Sequence, residues 1–328
     1  MMDILQNAPR IGMGCWAIGG HFWSGDIPVG YSGSDDDESI RTIHASWDAG
    51  VRVFDTSAVY GAGHSETILG RALSGRADAI IVSKFGHSID PVTRQMTGPR
   101  FDPEYIRRSV HGSLERLNRS CIDVMLLHLN ELSVIEGGPV FDTLEALKAA
   151  GKIRSYGWST DFPERVRAFA SRAGFSTVQH SMNVFFDAPA MCNTAESYNL
   201  VQLIRSPLGM GVLSGKFSDG RVIPSNDVRS ADRDWQGYFT DGRPRADLVA
   251  QMDAIRDLLT LGGRTLAQGA LCWLLARGPN VLPIPGAKNA RQAVENAGAL
   301  EYGPLSPTVM AYIEQILQRP PEGEPRAR

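Results

Sequence analysis

The chain reads as an α/β protein, a (β/α)8 TIM barrel with extra helices and long loops at its C-terminal mouth. Three observations lead there. Strand-like apolar runs alternate with helix-like segments along the 328 residues. The length suits one large barrel or two smaller domains, and neither a linker nor a repeat divides it. Four polar residues, Asp55, Lys84, His128 and Ser159, stand at the ends of successive apolar runs over 51–54, 79–82, 124–127 and 153–158. In a parallel barrel such strand ends converge on one mouth, where catalytic residues collect.

The elements follow in order. Residues 11–17 read as the first strand. The segment 35–49 starts with acids and carries apolar residues at helical spacing, so it reads as a helix with a favourable N-terminal charge. Strand two is 51–56, followed by a helix over 65–73. Strand three is 79–85. Asp102-Pro103, a cap and first-turn pair, opens a helix over 102–117. Strand four, 123–128, leads to a helix over 140–150 that Gly151 stops. Strand five is 152–158 and its helix 162–171. Strand six is 177–181 and its helix 188–198. Strand seven, 200–206, precedes two helices, 246–261 and 265–276, one of them extra to the barrel. Strand eight is 280–285, with helices over 290–300 and 307–318. The barrel domain is expected to span 1–318. The tail 319–328, rich in Pro, Glu and Arg, is expected to be disordered.

Three connections are long, and all follow strands. They are 19–34 with His21, Phe22 and Trp23, then 86–100, then 218–245 with Trp235, Tyr238 and Phe239. Long loops above a catalytic mouth are expected to wall a substrate pocket.

Composition narrows the function. Hydrophobic residues make up 43% and charged residues 21%, with a net charge of -3 and mixed signs, as in a soluble globular enzyme. No basic stripe points to nucleic acid. No apolar run reaches the roughly 18 residues of a membrane helix, and residues 1–10 lack the apolar core of a signal peptide. Cys15, Cys121, Cys192 and Cys272 are scattered without CxxC spacing. Free thiols in a reducing cytoplasm and no metal site are expected.

An acid, an ammonium, an imidazole and, just beyond Asp55, the Tyr60 phenol would share the mouth. A carbonyl receiving hydride gains negative charge on oxygen and needs a proton. A free Tyr has a pKa near ~10 and is a weak acid. A neighbouring ammonium such as Lys84 favours the phenolate. Asp55 is suited to hold Lys84, and His128 to orient the carbonyl oxygen. Such acid catalysis is worth ~10²–10⁴ in rate.

These stretches resemble the aldo-keto reductase family. Phe54-Asp55-Thr56-Ser57-Ala58-Val59-Tyr60-Gly61 through Glu66, then Leu69-Gly70, is similar to the family's Asp and Tyr signature. Ser83-Lys84-Phe85-Gly86 is similar to its lysine strand, and Leu126-Leu127-His128 to its histidine strand. The resemblance implies Asp55, Tyr60, Lys84 and His128 as a catalytic tetrad with Tyr60 as general acid. It implies Ser159 and Gln179 at the nicotinamide amide. It places Ser206, Pro207, Leu208, Gly211, Leu213, Gly215 and Lys216 along the pyrophosphate, and Arg205 at the nicotinamide ring. Gly286, Lys288, Gln292, Glu295 and Asn296 fall at the adenosine end, where a helix N-terminus suits a phosphate. Lys288 and Arg291 are suited to a 2′-phosphate, so NADP is favoured over NAD. Three positions depart from the family pattern: Thr160 where Asn is common, Arg205 where an aromatic stacks on nicotinamide, and Asn130 where Pro is frequent. Trp16, Trp23 and Phe85 are the expected substrate-pocket residues.

The expected activity is NADPH-dependent reduction of a small or sugar-like aldehyde or ketone. Two other readings are a cofactor-sensing subunit with slow turnover, and an aldolase or lyase that forms a Schiff base on Lys84. The only partner expected is a small-molecule carbonyl; the oligomeric state is open.

Overall fold

Eight parallel strands pair in chain order in the computed structural model, which describes residues 4–217, 221–231 and 237–322. They are β1 (Met13–Gly14), β2 (Val53–Asp55), β3 (Ile80–Phe85), β4 (Ile122–Leu127), β5 (Ile153–Ser159), β6 (Phe175–Ser181), β7 (Val201–Arg205) and β8 (Val281–Pro283). The sheet closes on itself. Gly14 bridges Gly286, and the Gly12 and Gly14 N–H groups donate to the carbonyls of Pro283 and Pro285 at 2.9 and 3.0 Å. Closure needs glycine at position 14, because a Cβ there would lie 2.7 Å from the Ile284 carbonyl oxygen.

Alternation along the strands divides the core into two layers. Val53, Ile80, Val82, Val124, Leu126, Val201, Leu203 and Leu282 form one cluster, the barrel interior. Ile81, Phe85, Met125 and Leu127 pack with the helix residues Ile68, Ile106, Val110 and Leu144 in the surrounding layer. The inward period continues to the strand ends. It carries Asp55 after Val53, Lys84 after Val82, His128 after Leu126 and Arg205 after Leu203.

The helices are α1 (Asp36–Asp48), α2 (His64–Ala72), α3 (Pro103–Leu117), α4 (Val134–Ala149), α5 (Pro163–Phe169), α6 (Pro189–Ser197), α7 (Ala246–Ala254), α8 (Arg256–Thr260), α9 (Leu266–Leu275), α10 (Ala290–Ala297), α11 (Ala299–Tyr302) and α12 (Pro307–Ile316). Asp35 caps α1 by accepting from the Glu38 N–H at 2.8 Å. α4 starts six residues before the expected 140. Its first turns contain Gly137, Gly138 and Pro139, which read as loop, but a Ser133–Glu136 capping box fixes the start. The expected helices 246–261 and 290–300 each break in two, near Ile255 and at Gly298.

Each long connection carries a two-stranded hairpin: Trp23–Ser24 with Ile27–Pro28, His87–Ile89 with Met96–Pro99, and Phe239–Thr240 with Arg243–Pro244. Trp235 lies outside the described residues. The expectation of a disordered tail is corrected for 319–322. Arg319 donates through Nε to the Val184 carbonyl at 2.7 Å, and Glu322 accepts from the Ala190 and Met191 N–H groups at the start of α6. Residues 323–328 lie outside the described part. Among the described residues no helix is long and apolar enough to cross a membrane.

Candidate active site

A cavity of about 1490 Å³ opens at the C-terminal ends of the strands. That exceeds the roughly 300–1,000 Å³ of a site for one drug-sized ligand, so there is space for an elongated ligand and a second molecule. Tyr60, Asp55 and His128 line its floor.

Beneath the floor lies Lys84, fully buried. Its ammonium donates to Asp55 Oδ1 at 2.6 Å, to the Thr56 carbonyl at 2.8 Å and to Tyr60 Oη at 3.2 Å. The other Asp55 oxygen accepts from Gln179 Nε2 at 2.7 Å, and Ser159 Oγ donates to Gln179 Oε1 at 3.3 Å. A polar chain therefore crosses from β5 and β6 to β2 and β3.

Burial works against charge on Lys84, but Asp55 and Tyr60 outweigh it and raise its pKa, so it is an ammonium. Burial raises the Asp55 pKa, with Lys84 and Gln179 pulling against it. Burial also dominates at Tyr60. Lys84 lowers the phenol pKa as expected, yet the net shift is upward. His128 is neutral, because burial, then His87, Lys84 and Arg205, push it well below the ordinary imidazole value. Its Nδ1 lies 3.3 Å from Ser57 Oγ.

One lobe of the cavity is cationic. Lys216, Arg221, Arg229, Lys288 and Arg291 line it, with Glu295 opposing them among the described residues. Burial, then Arg229, Lys288 and Arg221, push Lys216 down to about 8. Gly211 is needed there, since its φ is 103° and a Cβ would meet Lys216 Cε at 2.8 Å. Ser206 and Met210 also have positive φ, 52° and 51°, so the turn stores strain where it faces the cavity. Asp227 binds Arg229 through both oxygens, at 2.7 and 2.9 Å, and accepts from the Ser32 N–H and Oγ. Lys288 Nζ donates to the Ser32 carbonyl at 2.8 Å.

The chain belongs to the aldo/keto reductase family. The family profile matches residues 10–318. The aldo-keto reductase yakc (NADP(+)) of Schizosaccharomyces pombe is 29% identical over 90% of this chain and 85% of its own. The aldo-keto reductase YhdN of Bacillus subtilis is 30% identical over 90% and 84%. The solved glycerol dehydrogenase AKR11B4 of Gluconobacter oxydans is 31% identical, with a TM-score of 0.76 over 94% of this chain and 90% of that one. This protein is accordingly an oxidoreductase of that family.

Of the residues expected at a cofactor, all line the cavity except Leu213, which is fully buried in the core. Trp16 lines the cavity and stacks on Tyr60, centroids 5.8 Å apart. The other two pocket expectations are corrected. Phe85 alternates with the inward Lys84 and so points into the helix layer. Trp23 sits in its hairpin stacked on His21, centroids 5.5 Å apart, and is not among the cavity-lining residues. The helix N-terminus expected to suit a phosphate has partners of its own. Asn289 caps Gln292 and the Glu38 carboxylate accepts from the Ala290 N–H at 3.2 Å, so those donors of α10 are taken. Arg205 has an unexpected partner, an ion pair with Asp161. Thr160 donates to the Asn130 carbonyl at 2.9 Å and so holds the loop after β4.

Sequence reading missed Tyr31, His87 and Arg229 among the lining residues. Each sits in a long connection. The one available signal was His87, three residues after Lys84.

Proposed function

We propose that the protein reduces an aldehyde or ketone to an alcohol with NADPH, with Tyr60 as general acid. The observation that carries this is the Lys84 ammonium, bound at once to Asp55 and to the Tyr60 phenol, below a cavity that Tyr60 and His128 line. A bound reduced nicotinamide supplies a hydride to the carbonyl carbon. Tyr60 Oη gives its proton to the developing alkoxide, and Lys84 stabilises the phenolate left behind. His128, neutral and held at Nδ1 beside Ser57, presents its other nitrogen to the carbonyl oxygen.

The residues present fit a dinucleotide. The glycine-rich turn after β7 lets backbone approach a pyrophosphate, and the cationic lobe offers Lys216, Lys288 and Arg291 to phosphates. Ser159 and Gln179 are suited to the carboxamide. Arg205 can lie flat against the nicotinamide ring, and its pairing with Asp161 offsets the cost of a cation beside the oxidised ring. Lys288 and Arg291 favour NADP. Glu38, at the start of α10, would favour the unphosphorylated NAD ribose instead, but it does not line the cavity.

A Schiff base on Lys84 is disfavoured, since its nitrogen is buried and donates three hydrogen bonds. Titration with NADPH and with NADH, followed by nicotinamide fluorescence, is the first test. Tighter NADPH binding supports the reading. Equal binding removes the NADP preference, and no binding of either rejects the reductase.

A further inference from the structure

A second imidazole faces the first across the substrate end of the cavity. His87 and His128 lie with ring centroids 5.2 Å apart and planes at 75°, and both line the cavity. The Tyr60 ring stands 6.0 Å from His128 on another side. The tetrad chemistry does not use His87, yet the fold fixes it firmly. Gly86, at φ 125°, turns the chain out of β3, and a Cβ there would meet Leu129 Cγ at 2.9 Å. His87 then pairs with Pro99 across the hairpin, and Tyr105 Oη from α3 donates to its carbonyl at 2.9 Å. Backbone held in this way fixes where the ring starts, and the His128 ring, its centroid 5.2 Å away, bounds where it lies.

We propose that His87 is a specificity-determining residue that accepts a hydrogen bond from a hydroxyl on the carbon next to the reacting carbonyl, so that the substrate is an α-hydroxy aldehyde or ketone with an apolar body. This rests on the reductase reading above. The geometry suits it, because the His87 ring stands 5.2 Å, centroid to centroid, from the His128 ring that would receive the carbonyl oxygen, within reach of a group on the next carbon. The chemistry selects a hydroxyl. Burial lowers the His87 pKa, with the His128 backbone pulling against it, and so favours the neutral ring. A neutral imidazole carries one N–H and one lone pair. That lone pair accepts from O–H and repels a second carbonyl oxygen.

The surroundings set the rest of the substrate. Phe22, Val29, Val59 and Met96 pack together with Tyr60 and line this end, with Phe101 and Leu132 beyond. Of the polar lining residues nearby, Asn130 accepts at its carbonyl from Thr160 and at Oδ1 from the Asp161 N–H, and one Glu136 oxygen accepts from Ser133. A chain of several hydroxyls would lose its water against the apolar wall of Phe22, Val29, Val59 and Met96. An aryl or alkyl group would bury apolar surface. The sugar-like substrate expected from loop composition is replaced by this class.

The test compares 2-hydroxy-3-phenylpropanal with 3-phenylpropanal, both with NADPH, for the wild type, His87→Phe and His87→Gln. The wild type is expected to prefer the hydroxylated aldehyde in kcat/KM by about tenfold, the worth of one hydrogen bond. His87→Phe is expected to bring the ratio to about one with NADPH titration unchanged, and His87→Gln, which keeps an acceptor, to restore part of it. A wild-type ratio of one, or a ratio that survives in His87→Phe, overturns the proposal while leaving the reductase in place. Faster reduction of xylose than of either aldehyde overturns the apolar half. Reduction of no aldehyde or ketone, with NADPH bound, overturns both readings together.

Discussion

The barrel floor and the cationic lobe hold charge in opposite ways. On the floor, both Asp55 oxygens and the Lys84 ammonium have partners within 3.2 Å, and opposite charges meet in one buried chain. In the lobe, Lys216 is pushed down to about 8 by burial and by neighbouring cations. Burial and Arg229 also lower Lys288, against the pull of Asp227. The floor balances its charges in one chain, whereas the lobe keeps an excess of cations even with Asp227 paired to Arg229. The first arrangement is suited to preorganised chemistry and the second to binding.

Tyr60→Phe breaks the comparison most severely. It keeps the ring and removes the acid, so kcat is expected to fall ~10²–10⁴-fold. NADPH affinity, proposed to be set by the lobe, is expected to be nearly unchanged. Steady-state kinetics beside a fluorescence titration check this, and a parallel loss of affinity would show that the two regions are not separable.

Lys84→Met and Lys216→Met oppose each other. The first leaves Asp55 as an uncompensated buried carboxylate, at a cost of about 3–5 kcal/mol in urea unfolding. The second removes a cation that its neighbours repel. Ligand-free stability is then expected to hold or rise, while NADPH binding weakens by about tenfold or more through a lost charge-assisted contact. Destabilisation by both would end the distinction.

The lobe should also carry a pH signature. Lys216 is half-deprotonated near pH 8 in the free protein, and bound phosphate would raise its pKa. NADPH binding is then expected to take up protons around pH 8, and affinity to fall as pH rises through that value. Calorimetry in two buffers of different ionisation enthalpy measures the uptake. Its absence in Lys216→Met would assign it.

The smallest effect belongs to three histidines, His180 buried and His87 and His128 partly buried. Burial lowers His87, His128 and His180. Between the folded values and the unfolded value near ~6.5, the unfolded chain binds more protons. Stability is therefore expected to decline as pH falls below about 6.5, with thermal unfolding between pH 7 and 5 as the measure. His128→Asn should flatten part of that slope.

Much of the floor was legible because strand alternation is local. Val53, Val82 and Leu126 point inward, so Asp55, Lys84 and His128 follow at the same period. The same rule should have excluded Phe85, which neighbours Lys84 and must face the other way. The start of α4 was not legible, since Gly137, Gly138 and Pro139 imitate a loop and the capping box outweighs them.

The order of strands and helices, the inward phase of the tetrad and the glycine-rich turn before Lys216 were determined by the sequence alone, because each depends on neighbours a few residues away. Tertiary structure decided which loop residues reach the cavity. The pairing of Arg205 with Asp161, the hold of Glu38 on α10 and the approach of His87 to His128 join segments that are distant in the chain or turned by a hairpin. Such contacts depend on how the closed barrel aims its loops, and no local period encodes that direction.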